Sequence, residues 1–224
     1  MKPVQAADAA AERDAEEAAE LARLWWRRVP RVITSPREVF RALGETDELD
    51  LEARSEPVLA IAILAAMAGL LLTPTWGSLL DNPAVDGVVV LVLTFVGGAV
   101  YGAAAPFLLG LALWVGAKGA GVDASRRVAR HVVVFAALPL ALALVVLVPA
   151  IAIVGWDWFR TGGDDAGIGR TTVLALGGVF AAWSIGLLVL GVRETFRLPW
   201  RGVVTALALG GVLVAALVIL PSSL

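Results

Sequence analysis

The residue types that most often carry chemistry are scarce in this chain. Its 224 residues include no cysteine and one histidine, His131, so disulfide frameworks, thiolate metal sites and cysteine nucleophiles are excluded. Zinc catalysis or a Ser-His-Asp triad would depend on that single imidazole, which we expect at a membrane edge. The adjacent carboxylates Asp164 and Asp165 lack further metal ligands nearby. We therefore predict a protein that is not an enzyme, with no catalytic residue, cofactor or metal.

A basic cluster offers binding chemistry instead. Four cationic side chains between two apolar stretches would attract an anionic lipid headgroup by about 1 kcal/mol per charge: Lys118, Arg126, Arg127 and Arg130. The same charges also fit a role in membrane orientation, because cytoplasmic loops carry an excess of Lys and Arg. The formal net charge of -2 gives no nucleic-acid footprint. Membrane lipid is thus a predicted partner, and nucleic acid is not.

A second group of candidate binding residues lies near the N-terminus, at Trp25, Trp26, Arg27 and Arg28. Apolar side chains recur at helical spacing from about residue 15 to 29, which predicts an amphipathic helix. Aromatic rings beside arginines suit a helix that lies on an anionic inner leaflet. Packing against the protein's own helix bundle would use the same apolar face, and both alternatives stay open.

A short helix is predicted next, over about residues 36 to 43. Ser35 supplies a capping oxygen, Pro36 suits the first helical position, and Glu38 can complete a capping box. Phe40 then lies on an apolar side that faces the bundle or the lipid surface. Residues 1 to about 14 are rich in alanine and acids and are expected to be disordered.

The elements that must position these residues are membrane helices. The chain is 59% apolar and 17% charged, whereas soluble domains are about 45–50% apolar and about 25% charged, and its mean hydropathy is +0.83. A helix needs about 20 apolar residues to cross a bilayer. Five stretches meet or approach that length, and their only Asp, Glu, Lys, Arg or His is Arg201, at the start of the fifth: 57–76, 87–117, 132–154, 171–192 and 200–220. The predicted fold is an all-α polytopic bundle over residues 57–224, preceded by a cytoplasmic segment, residues 1–56.

The orientation follows from the charges. Five spans with the N-terminus in the cytoplasm place 16 of the 18 basic residues inside and the C-terminus outside the cell, as the positive-inside rule favours. The second stretch is long for one crossing, but dividing it would move the basic cluster outside. We therefore expect one helix, tilted or kinked at Pro106, in the inner membrane of the cell.

Small residues mark a packing face on the second span. Gly98, Gly102, Pro106 and Gly110 recur every four residues, and such a ridge lets another helix approach closely. Further glycines are candidate partner surfaces, in the fourth span (Gly177, Gly178, Gly186) and the fifth (Gly210, Gly211). In the third span, Pro139 and Pro149 are expected to produce kinks.

Three of these features together resemble the Yip domain family of bacterial type. They are the helix with Pro36 and Phe40, the basic loop, and the third span with Phe135 and Pro139. The resemblance covers roughly residues 31–220 and implies a small five-span membrane protein with a cytoplasmic N-terminus. Eukaryotic members are linked to Rab-type GTPases and carry an acidic-tyrosine motif. Here the only tyrosine is Tyr101 in the second span, so GTPase binding is not carried over.

Two functions remain open at the level of sequence. The leading interpretation is a membrane scaffold or organiser that interacts with lipid, with itself or with other membrane proteins. The alternative is a channel or permease for a neutral or lipid-like solute, for which uncharged spans are no handicap. Ion-coupled transport is disfavoured, because such transporters place ionisable residues inside the membrane.

Overall fold

The computed structural model describes residues 28–45, 55–73, 76–162 and 168–219, and this part of the chain is helical without a strand. The helices are α1 (Arg28–Thr34), α2 (Pro36–Gly44), α3 (Ser55–Leu71), α4 (Gly87–Gly119), α5 (Arg126–Ala136), α6 (Leu138–Leu142), α7 (Leu144–Val154), α8 (Ile168–Thr195) and α9 (Trp200–Ile219). Short 3-10 helices follow α3 and α7, at Trp76–Asp81 and Gly155–Phe159.

Three of these segments are long and apolar enough to cross a membrane. They are α4, the segment Arg126–Phe159 that contains α5 to α7, and α8, while α3 and α9 are shorter apolar helices. Large apolar side chains also lie exposed on the outside of the bundle, among them Val92, Val100 and Phe107 on α4. Helices that are apolar all round are typical of a membrane environment.

The central helix is α4, which packs against α3, α5 and α9. It begins at Asp86, whose side chain accepts a hydrogen bond of 2.8 Å from the Val89 N–H and so caps the first turn. The helix continues to Gly119 through the buried Pro106. The second apolar stretch is therefore one continuous helix.

The third apolar stretch is divided. Pro139 has no N–H to continue the helical ladder, and the helix breaks at Ala137 and again at Ala143. The Leu140 N–H bonds instead to the Ser184 hydroxyl oxygen of α8, at 3.1 Å. Pro149 lies inside α7, which continues through it. Of the two prolines, Pro139 is the one beside a break.

The first apolar stretch ends earlier than predicted. Instead of reaching residue 76, α3 ends at Leu71, and Trp76 begins a 3-10 helix. The Thr73 N–H and hydroxyl both bond to the Leu70 carbonyl oxygen, at 3.0 and 2.7 Å, and the proline that follows in sequence cannot donate to a further turn. The Trp76 indole N–H then donates to the Thr94 hydroxyl on α4, at 2.9 Å.

Candidate functional site

One end of the bundle gathers most of the residues singled out by sequence. We call it the N-terminal face: it consists of α1, α2, the α4–α5 turn and the α8–α9 turn. α2 packs on the last turns of α8 and on α5. Val32 of α1 and Phe40 and Leu43 of α2 are buried in the same apolar core as the first turns of α5. The two N-terminal helices are therefore part of the bundle.

Phe40 is the centre of this docking. Its side chain is fully buried and lies against Gly191 of α8, where an added Cβ would be 2.9 Å from the phenyl ring. The Thr195 hydroxyl donates to the Phe40 carbonyl oxygen at 2.9 Å. Gly44, at the end of α2, is equally close to α8, because a Cβ there would be 2.5 Å from the Thr195 carbonyl oxygen. Glycine is thus required on both helices for this close approach.

Two ion pairs border the docked helix. Arg41 bonds to Glu194 at 2.9 Å, and Arg197 bonds to Glu45 at 2.5 Å. Arg197 adopts a positive φ of 52°, which ends α8 and turns the chain toward α9. Both pairs are exposed to solvent on at least one side, and such pairs contribute little to stability. The buried side chain of Phe40 is therefore expected to contribute more to the docking of α2 than these ion pairs.

The predicted capping box at the start of α2 is wrong. Ser35 makes no side-chain capping hydrogen bond, and Glu38 is exposed. The reason is that α1 ends at the preceding residue, so the Ser35 N–H already donates to the Arg31 carbonyl oxygen, at 2.7 Å. That N–H is the donor that a capping box requires. Pro36 still occupies the first helical position.

The four basic residues of the α4–α5 region form two arrangements. Lys118 and Arg126 lie over the ring of Trp114, at 4.9 and 4.3 Å from its centre. Arg130 lies over the ring of Phe107 instead, at 4.7 Å. Arg127 is partly buried. Of the four basic residues, Lys118 and Arg126 are therefore the two that one lipid headgroup could contact together.

His131 is buried, at 2% exposure, which corrects the expectation of an interfacial side chain. Its Nδ1 donates to the Arg127 carbonyl oxygen one turn earlier, at 2.9 Å. Trp25, Trp26 and Arg27 lie outside the described residues. Arg28 begins α1, but its side chain lies outside the described part. Their role at the membrane interface stays a prediction.

The small residues of α4 contact two different helices. An added Cβ at Gly98 would collide with Met67 of α3. At Gly102 it would be 2.7 Å from the Ile63 backbone nitrogen of the same helix. Gly110 instead faces α5, with a Cβ position 2.9 Å from the Arg130 Cα. The ridge therefore allows close backbone packing against the first span and the start of the third.

Most of the glycines that were suggested as partners of this ridge, in the fourth and fifth apolar stretches, do not contact α4. An added Cβ at Gly178, Gly186 or Gly211 would meet no atom of the described residues within 4 Å, so these glycines do not pack against another described helix. Gly177 faces the Leu72 side chain, and only Gly210 lies against α4, 3.0 Å from the Ala112 carbonyl oxygen. A further close contact of α4 joins Gly116 to the Ala206 backbone of α9.

The opposite end of the bundle is closed by the two 3-10 helices. Trp158 and Phe159 are buried there, while Trp156 is half exposed. Arg170 donates to the Gly77 and Arg160 carbonyl oxygens, at 3.3 and 3.2 Å. Asp164 and Asp165 lie outside the described residues.

Asp81 links these two 3-10 regions. Its carboxylate accepts a hydrogen bond of 2.9 Å from the Thr161 N–H. Hydrogen bonds from the Thr161 side chain and backbone, with smaller contributions from Arg160 and Arg170, lower the pKa of Asp81 below its ordinary value. Hydrogen bonds to the charged form of a carboxyl have this effect.

Sequence reasoning missed three residues at these contacts: Gly191, Thr195 and Ser184. Thr195 follows Arg193 and Glu194 and so reads as part of a solvated helix end. Ser184 is an isolated hydroxyl within an apolar span, and such residues often serve backbone groups freed by a proline on another helix. That signal was available, although it does not identify the partner.

The fold and composition together define an α-helical membrane protein. A family model, the Yip1 domain, matches residues 31–220, which include every described helix from α2 onward. The chain belongs to the Yip1 domain family. Comparison with curated proteins and with solved structures gives no match.

Proposed function

We propose that the protein crosses the inner membrane of a bacterial-type cell five times, with residues 1–56 in the cytoplasm and the C-terminus outside. The positions of the described charges support this orientation. The α4–α5 and α8–α9 turns, with the helix ends that flank them, carry seven of the nine basic side chains after residue 56 and lie at the N-terminal face with α1 and α2. The described basic side chains of the opposite end are Arg160 and Arg170. Positive charge concentrated at one end is expected on the cytoplasmic side.

Within this membrane protein, we infer a scaffold function without catalysis. The observation that carries it is the docking of α2 through Phe40 and Thr195, which holds this helix on the bundle. Arg37 and Glu38 are exposed on the other side of α2. A helix fixed on a membrane-embedded bundle presents its outer side in one orientation, and this reduces the entropy that a binding partner must remove. Another membrane protein or a second copy of this chain is the proposed partner.

The buried polar side chains disfavour an aqueous channel. Among the described residues, the buried polar side chains are those of Thr94, His131 and Thr195. Each bonds to a backbone carbonyl oxygen: Thr94 to Val90 at 2.8 Å, His131 to Arg127 and Thr195 to Phe40. Polar groups that line a water path face one another or the cavity. These three side chains instead form hydrogen bonds with backbone carbonyl oxygens of the helices.

Topology is tested first, with reporter fusions. Alkaline phosphatase fused after Leu224 should be active, and a fusion after Gly121 should be inactive, because the enzyme requires an oxidising compartment to form its disulfides. A fusion after Arg160 is the matched external control and should be active. Activity after Gly121 with none after Leu224 would reverse the orientation.

The scaffold function is tested by site-specific crosslinking in cells. A photo-crosslinking amino acid at Arg37 should give discrete adducts with a membrane protein identified by mass spectrometry, whereas the same group at the lipid-facing Val204 should not. Purified protein in liposomes should leave the permeability to glycerol unchanged relative to empty liposomes. Accelerated glycerol entry without adducts at Arg37 would instead establish the channel or permease alternative.

A further inference from the structure

A groove lies between α3, α4 and α5, beside the N-terminal face. It has a volume of about 290 Å³. Its walls are apolar side chains of α3 and α4, including Leu59, Ala103 and Pro106, and its other side is formed by Arg130 and His131 of α5. We call it the Arg130 groove. A charged residue beside an otherwise apolar groove indicates a ligand with one charged end and one apolar end.

The position of Arg130 in this groove is fixed by backbone packing. Gly110 of α4 lies so close to α5 that an added Cβ would be 2.9 Å from the Arg130 Cα. The Arg130 guanidinium then extends over the ring of Phe107, at 4.7 Å from its centre, and Phe107 is itself a wall of the groove. Stacking on a ring leaves the N–H groups in the plane of the guanidinium available to a phosphate.

The charge of Arg130 is not neutralised within the described part of the chain. Arg41 and Arg197 each pair with a glutamate, and Lys118 is 3.8 Å from Asp123. No carboxylate of the described residues forms an ion pair with Arg130. A cation beside an apolar groove, with no counterion among the described residues, is electrostatically complementary to an anionic ligand.

A second apolar groove shares one wall residue with the Arg130 groove. The shared residue is Pro106, and the second groove, of about 330 Å³, is also lined by Tyr101, Ala105 and Leu140. Its walls are almost entirely apolar, and it lies farther from the N-terminal face. An acyl chain that enters beside Leu59 would therefore find apolar surface on both sides of Pro106.

We propose that the Arg130 groove binds one phospholipid with an anionic headgroup, its phosphate at Arg130 and an acyl chain along Leu59, Ala103 and Pro106. Basic pockets between membrane helices on the cytoplasmic side bind such headgroups. The proposal rests on the proposed orientation, which places this end of the bundle at the anionic inner leaflet. It also distinguishes Arg130 from Arg126, which stacks on Trp114 outside the groove.

The test uses the full-length protein, purified in detergent. Phosphatidylglycerol and phosphatidylcholine of the same chain length are titrated, and bound lipid is counted by native mass spectrometry. We expect one tight phosphatidylglycerol site. Arg130→Gln should weaken it about tenfold, since one charge-assisted contact is lost. Arg126→Gln is the matched control and should change the affinity less than about twofold. Ala103→Leu, which fills the groove without changing charge, should also weaken binding.

Three results would overturn the proposal. Equal effects of Arg130→Gln and Arg126→Gln would indicate nonspecific attraction to the basic surface. Equal affinity for the two lipids would remove the role of headgroup charge. Competition by inorganic phosphate at the concentration of the lipid would indicate a site for a free anion. Lipid counting depends on neither crosslinking nor glycerol entry, so failure here is distinguishable from failure of the scaffold function.

Discussion

The Thr195 hydroxyl donates a 2.9 Å hydrogen bond to the Phe40 carbonyl oxygen across 155 positions of sequence. Both residues are buried, Phe40 completely and Thr195 at 7% exposure. The bond joins the short helix before the first apolar span to the end of the fourth. A segment that reads as a separate cytoplasmic appendage is thus packed into the membrane bundle.

Phe40→Ala should destabilise the protein by about 3–5 kcal/mol, because a fully buried phenyl ring is replaced by a cavity between α2, α5 and α8. Unfolding in detergent, followed by circular dichroism during a denaturant titration, measures the change. Arg37→Ala, on the exposed side of the same helix, should stay within about 0.5 kcal/mol of the parent. Equal effects of the two substitutions would show that α2 is not docked in solution.

Much of the fold was readable from the sequence because membrane helices are specified by long apolar runs. The existence of α8 follows from composition and length, although it extends three residues beyond the predicted stretch at each end. The uninterrupted helix α4 was predicted from the basic residues that follow it. The early end of α3 and the division of the third apolar stretch at Ala137 were harder to predict from the sequence. Both depend on proline and on which hydroxyl is available to a freed backbone group, and in the second case that hydroxyl is Ser184, on another helix.

The candidate site was less readable, because its contacts join distant segments. The spacing of Gly98 to Gly110 predicts close packing but does not identify α3 and α5 as the helices opposite. The basic residues after α4 were recognisable as a set. Their division between Trp114 and Phe107 depends on the geometry of the α4–α5 turn, which a single sequence does not encode locally.

Close packing at Gly102 predicts opposite outcomes for two equivalent substitutions. Gly102→Ala places a Cβ 2.7 Å from the Ile63 backbone nitrogen, so α3 and α4 must separate and stability should fall. Gly178→Ala meets no atom of the described residues within 4 Å and should stabilise the protein by up to about 1 kcal/mol through helix propensity. Thermal unfolding in detergent compares the two. Stabilisation by both substitutions would contradict the contact.

Ser184→Ala should reduce stability by about 1–2 kcal/mol, because the Leu140 N–H loses its hydroxyl acceptor in an apolar environment. Ser184→Thr retains a hydroxyl and should recover most of the loss. Denaturant unfolding measures both variants, and hydrogen exchange at Leu140 reports the bond directly. Unchanged exchange at Leu140 in Ser184→Ala would show that another group satisfies this amide.

Asp81 predicts a pH dependence at the end of the bundle away from α2. Its pKa is lowered from 3.8 by hydrogen bonds with Thr161, so the folded protein binds the proton less tightly than the unfolded chain. This contribution to stability is present above the unfolded pKa and is lost as the pH falls through the folded value. The thermal midpoint should therefore fall between about pH 5 and pH 2 by a larger amount in the parent than in Asp81→Asn.

The matched control is Asp123→Asn, because the Asp123 side chain is fully exposed at the N-terminal face. This variant should retain the acid response of the parent. Thr161→Ala removes the hydroxyl but keeps the backbone N–H that Asp81 accepts, so its response should be intermediate. Identical acid profiles for the parent and Asp81→Asn would mean that the contact between the two 3-10 regions contributes nothing to the pH dependence of folding.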